Sequence, residues 1–141
     1  MSAPDVEAIA RVAIDLGFRL HDRLGPGLLE SAYEALLAAA LAREGLIVER
    51  QKSLDLTFDG LCVPDAFRVD LLVERKLLIE LKSTDRLLPV HVRQVLTYLR
   101  LAELPLGLLM NFGAGTFREG IKRVVNRHEN FASSRLRVHN P

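Results

Sequence analysis

One cysteine, no tryptophan and only 6% aromatic residues leave several protein classes without their raw material. Cys62 alone cannot form an intrachain disulfide, and it excludes any four-cysteine zinc or iron–sulfur site within one chain. It reads as a buried or half-buried thiol. None of His21, His91, His128 and His139 stands at metal-ligand spacing from another histidine or from Cys62, so zinc is not indicated. No apolar run approaches the roughly 18 residues of a membrane span. Asp5 and Glu7 stand where an export leader carries basic residues, and a cytoplasmic location without a membrane partner is the expectation. Internal repeats, low-complexity tracts and linkers are missing as well. Neither charge sign dominates: 19 Lys and Arg oppose 18 Asp and Glu, a net charge of +1. A polyanion-binding surface would therefore depend on where the charges sit. Between 118 and 137, Arg118, Lys122, Arg123, Arg127, Arg135 and Arg137 outnumber Glu119 and Glu129, a stripe that suits a phosphate backbone or plain water.

What is present is a chain of 141 residues, 49% of them hydrophobic, enough for one domain with a proper core. Apolar residues recur at helical spacing over 5–24 (Val6, Ile9, Ala13, Leu16, Leu20, Leu24), interrupted by Gly17. Gly25-Pro26-Gly27 stops this helix, and a second follows to Gly45 through Leu29, Tyr33, Leu37 and Leu41. Short apolar runs at 46–48, 54–58, 66–73 and 77–82 then read as strands, with Asp59-Gly60 as a hairpin turn. A third helix fits 91–103, a buried strand 106–112 and a last strand 120–125. Residues 1–126 thus form a single α/β domain with a central mixed β-sheet flanked by helices on both sides, and 127–141 a polar C-terminal tail.

The chemistry concentrates in two of the expected strands, Phe67-Arg68-Val69-Asp70-Leu71-Leu72-Val73 and Leu77-Leu78-Ile79-Glu80-Leu81-Lys82. If Glu74, Arg75 and Lys76 form the loop, Val73 faces Leu77 and Asp70 lies opposite Glu80. Val69, Leu71, Val73, Leu77, Ile79 and Leu81 then share a core face, while Arg68, Asp70, Leu72, Leu78, Glu80 and Lys82 share the other. Opposed carboxylates about 5 Å apart repel unless a cation lies between them, and a hard divalent ion such as Mg²⁺ suits them. Lys82 points to the same face, where its ammonium meets charge developing on a phosphate. An E-x-K triplet is by itself weak, since charged faces are common on half-exposed sheets. Continuous Leu and Ile around Glu80 add weight, because a carboxylate on a covered strand needs a partner. Asp65, in the tempting Pro64-Asp65 pair, has the opposite strand parity to Asp70 and is the poorer ligand unless a bulge intervenes.

Gly27-Leu28-Leu29-Glu30-Ser31-Ala32-Tyr33, Asp70-Leu71-Leu72-Val73, Glu80-Leu81-Lys82, the stretch 91–98 and Asn111-Phe112-Gly113 follow one another in the chain. In that order they resemble the PD-(D/E)XK nuclease superfamily and, within it, the small bacterial proteins of the GxxExxY family, over roughly residues 10–125. The resemblance implies a restriction-endonuclease-like core. It also implies metal binding by Asp70, Glu80 and the Leu81 carbonyl, a catalytic Lys82, and a Glu30 that reaches the same site. Independently, Glu30 and Tyr33 share a helical face near the Gly-Pro-Gly joint, although a carboxylate at a helix N-terminus is also favoured by the macrodipole alone. Gln94 and Tyr98, four apart, match the Q-x-x-x-Y pattern of the RecB-like branch. With His91 and Tyr33 they are the candidate nucleic-acid contacts, a surface glutamine and a half-buried tyrosine being the plainer alternative.

These readings lead to a nuclease dependent on Mg²⁺ or Mn²⁺ that hydrolyses phosphodiesters of nucleic acid, DNA before RNA, with Glu30, Asp70, Glu80 and Lys82 as its catalytic set. With no separate reading domain, contacts would go mainly to phosphates, extended by a homo-oligomer or partner protein. The rivals are a catalytically silent nucleic-acid-binding or interaction module on the same fold, and a metal-binding structural protein.

Overall fold

A computed structural model describes residues 4–127. The tail expected at 127–141, with His128, His139, Arg135 and Arg137 of the basic stripe, lies outside them apart from Arg127. Helix α1 (Val6–Leu24) begins where the Asp5 carboxylate accepts the Ala8 N–H at 2.7 Å, and buries Ile9, Ala10, Ala13, Gly17 and His21. Gly17 has a packing reason: a Cβ there would fall 2.8 Å from the Phe117 ring. After the Gly-Pro-Gly joint, α2 (Glu30–Arg43) runs along the same side of the sheet.

Two long strands follow, β1 (Val48–Phe58) and β2 (Leu61–Val73), then β3 (Leu77–Lys82), α3 (Pro89–Ala102), β4 (Leu106–Asn111), a one-turn α4 (Phe117–Gly120) and β5 (Ile121–Val125). The separate strands expected at 46–48 and 54–58 are one. The charged stretch between them forms the outer strand of the sheet, whose exposed side chains carry no apolar alternation. Asp59 and Gly60 make the turn, both with positive φ (52° and 77°) as a two-residue hairpin loop requires. The far end of this hairpin reaches past the helices. That leaves Cys62 exposed, contrary to the expectation of a buried or half-buried thiol.

The sheet order is β1-β2-β3-β4-β5, antiparallel except for the β3–β4 pair, which α3 connects in parallel. Leu71, Val73, Ile79, Leu81, Leu108 and Met110 pack under α1 and α2. Leu72, Leu78, Leu109 and Val124 pack under Val95 and Leu99 of α3. Both faces are covered, which is why β3 and β4 read as unbroken apolar runs. Among the described residues no helix is long and apolar enough to cross a membrane.

Candidate functional site

Val73 pairs with Leu77, Leu72 with Leu78 and Leu71 with Ile79, and there the β2–β3 ladder ends. One step further the strands part, and side chains take over from backbone. The Asp70 N–H donates to Glu80 Oε1 at 3.1 Å, and the Leu81 N–H donates to Asp70 Oδ2 at 2.9 Å. Each carboxylate thus accepts a main-chain proton from the other strand. Val69 packs with the α3-side cluster although Leu71 lies under α1 and α2, so the expected alternation fails at Asp70. The cause lies across the strand. The β1–β2 ladder pairs Arg50 with Leu71 and Lys52 with Val69 but omits the step between, where Gln51 has a left-handed φ of 48°.

Glu80 is 6% exposed. Burial first, then the negative charge of Asp70, push its carboxyl up to about 9, with Lys82 pulling the other way. Burial and the Asp70 charge also raise the Glu30 carboxyl, again opposed by Lys82. On α3, Tyr98 stacks on Phe67 with ring centres 4.9 Å apart, and its phenol is raised by burial and then by the charges of Glu80 and Asp70, with Gln94 pulling the other way. Glu30 and Lys82 therefore share the electrostatic surroundings of the Asp70–Glu80 pair, and Tyr98 borders it from the α3 side.

One expected contact is buried, and another also serves its own helix. Tyr33 was expected to meet nucleic acid, but it is fully buried. Its hydroxyl donates to the Gly25 carbonyl and accepts the Leu28 N–H, and its ring stacks on Phe112 at 4.5 Å. It braces the Gly-Pro-Gly joint from inside because its ring fits the apolar space above β4. His91 accepts the Leu88 N–H on Nδ1 at 3.0 Å, closing the first turn of α3. Asp65 sits at an irregularity of the hairpin with a φ of 51°, its N–H on Asp55, whereas contact with Glu80 belongs to Asp70.

Other residues were not among the site candidates. Buried Glu34 accepts from Arg50 at 3.2 Å and from Gln51 at 2.6 Å, and Gln51 also donates to Asp70 Oδ1 at 3.1 Å. Glu34 does follow Glu30 by one helical turn, a spacing that was available as a signal. Asn111, fully buried at the end of β4, donates to the Thr84 carbonyl and accepts the Thr84 and Gly113 N–H groups, all within 3.0 Å. The segment leaving Lys82 is pinned by this amide, and any Cβ on Gly113 would collide with Thr84. Ser83 ties the same segment to the joint by donating to the Leu28 carbonyl at 3.1 Å.

The donor set is oxygen only, with acids in mutual contact at an electrostatic cost, and its chemistry fits a hard divalent cation. It is not a finished cage: among the described residues no three His, Cys, Asp or Glu side chains are grouped closely enough to hold an ion. Asp70 and Glu80 form the nucleus, and Glu30 stands off at the exposed start of α2. A search of curated proteins and a search of solved structures match nothing to this chain. A family model does match, over residues 7–124, a span containing every acid and base of the site. The chain belongs to the PD-(D/E)XK nuclease superfamily.

Proposed function

We propose that this protein is a divalent-metal-dependent nuclease that hydrolyses phosphodiester bonds of nucleic acid, DNA in the first place, and that it belongs to the GxxExxY branch of its superfamily. The observation that carries the reading is the meeting of the Asp70 and Glu80 carboxyls beyond the last β2–β3 rung, with Lys82 two residues on. Superfamily members use divalent metals, and the oxygen donors here suit Mg²⁺ or Mn²⁺.

Asp70 and Glu80 would hold the ion with the Leu81 carbonyl, and Glu30 would close on it from α2. The bound ion would acidify water and screen the phosphate. Lys82 contributes an ammonium whose field opposes the raised carboxyls of Glu30 and Glu80, which supports its assignment to negative charge developing on the phosphate. Gln94 and Tyr98 offer an amide and a phenol beside the pair from α3, suited to positioning the strand being cut. His91 would act indirectly by setting the start of that helix.

Single- and double-stranded DNA and RNA incubated with the protein and Mn²⁺, beside Glu80→Ala and Lys82→Ala, test the reading. Cleavage by the wild type that both variants lose is the expected result. Cleavage persisting in both would refute the assignment. The absence of a three-acid cluster among the described residues gives the silent binding module its one support, and a mobility shift without cleavage in Mg²⁺ or Mn²⁺ would favour it.

A further inference from the structure

Successive side chains of a regular strand point to opposite faces. Arg50 and Gln51 break that rule, because both reach the Glu34 carboxylate. The left-handed φ of 48° at Gln51 makes this reach available, at a steric cost for a residue with a Cβ. A second cost is the rung missing from the β1–β2 ladder, and the residue across that gap is Asp70.

What the distortion obtains is visible in the hydrogen bonds. Gln51 Nε2 gives one proton to Glu34 Oε1 at 2.6 Å and the other to Asp70 Oδ1 at 3.1 Å. Both acceptors are carboxylates, so the amide must present its nitrogen and not its oxygen. The Leu81 N–H meanwhile holds Asp70 Oδ2, and each oxygen of Asp70 is fixed from a different strand. Glu34 is anchored in turn by Arg50. Backbone strain of this kind persists where the surroundings over-determine it, and it gathers at functional sites.

We propose that Gln51 is a positioning residue that sets the rotation of the Asp70 carboxylate, tying it to the Arg50–Glu34 pair so that its remaining lone pairs meet a divalent cation. The inference rests on the metal-dependent reading above. It assigns a role to a β1 residue in an otherwise ordinary polar stretch.

The test is calorimetric titration of Mn²⁺ into the wild type, Gln51→Met and Gln51→Gly, with a thermal melt of each. Methionine keeps the bulk and the strain, glycine relieves the strain, and both lack the amide. Mn²⁺ affinity is expected to fall about 10- to 100-fold in both, as when a partner orienting a ligand is lost, while Gln51→Gly stays fully folded at the assay temperature. A folded variant that binds as tightly as the wild type overturns the inference and leaves the nuclease reading standing. An affinity loss that merely follows the fraction unfolded, or failure of both variants to fold, overturns it too. A wild type that binds no Mn²⁺ removes the metal-dependent reading and the inference with it.

Discussion

If the Glu80 carboxyl titrates near 9 in the metal-free protein, metal binding at neutral pH must expel a proton, and the affinity for Mn²⁺ becomes a pH meter for the site. About one acid in a hundred is ionised two units below its pKa, so apparent affinity should rise about tenfold per pH unit between roughly pH 6 and 8 and flatten above 9. Calorimetry in buffers of different ionisation enthalpy counts the protons directly, and about one should leave per ion bound at pH 7. The linked effect on folding has a definite sign. An acid raised on folding leaves the folded state holding more protons than the unfolded state between the ordinary value of 4.5 and about 9. Metal-free stability should therefore fall as pH rises through that window, by about 1.4 kcal/mol per unit at most. Excess Mn²⁺ should restore it on the alkaline side. Glu80→Gln removes the titrating group but keeps an oxygen for the Asp70 N–H and adds a donor for the Asp70 carboxylate, so it should melt above the wild type at pH 8 and bind Mn²⁺ weakly. An affinity that changes less than about threefold from pH 6 to 8, or a Glu80→Gln variant keeping the wild-type slope, would refute the reasoning.

Lys82→Ala should lower the cleavage rate about 100-fold or more while leaving Mn²⁺ affinity within a few-fold, which separates charge stabilisation from metal holding. Tyr33→Phe keeps the stack on Phe112 but leaves the Gly25 carbonyl without its partner, so it should cost about 1–3 kcal/mol in denaturant unfolding and leave nucleic-acid affinity unchanged in a filter-binding assay. Asn111→Ala strips three hydrogen bonds from a buried corner; a melt lowered by several degrees together with a slower cleavage rate is expected, and a fully stable variant would contradict the bracing role.

The register of β2 against β3 was legible because a three-residue charged turn separates two short apolar strands, and counting outward from Val73 and Leu77 needs nothing else. The third helix was legible from its periodicity. Gln51 was not, because its importance depends on a backbone angle in β1 and on an acid from a distant helix, neither of which leaves a period in the chain. Val69 was assigned to the wrong face for the same reason, since alternation assumes a strand without the kink opposite Gln51. Tyr33 misled by its spacing. Helical period groups it with Glu30, but one position opens at the helix start and the other is capped by Phe112. Burial of a helix face is decided by what lies above it.

Thr84 finds in the Asn111 side chain the same donor and acceptor that a neighbouring peptide group would offer. The parallel β3–β4 pairing, whose last rung joins Lys82 to Asn111, is in effect lengthened by one imitation peptide. Fraying, which starts at strand ends, is thereby moved past the lysine. Lys82, the last residue of β3, therefore sits inside the woven part of the sheet and not at a loose tip, and its ammonium is carried by a backbone already held still.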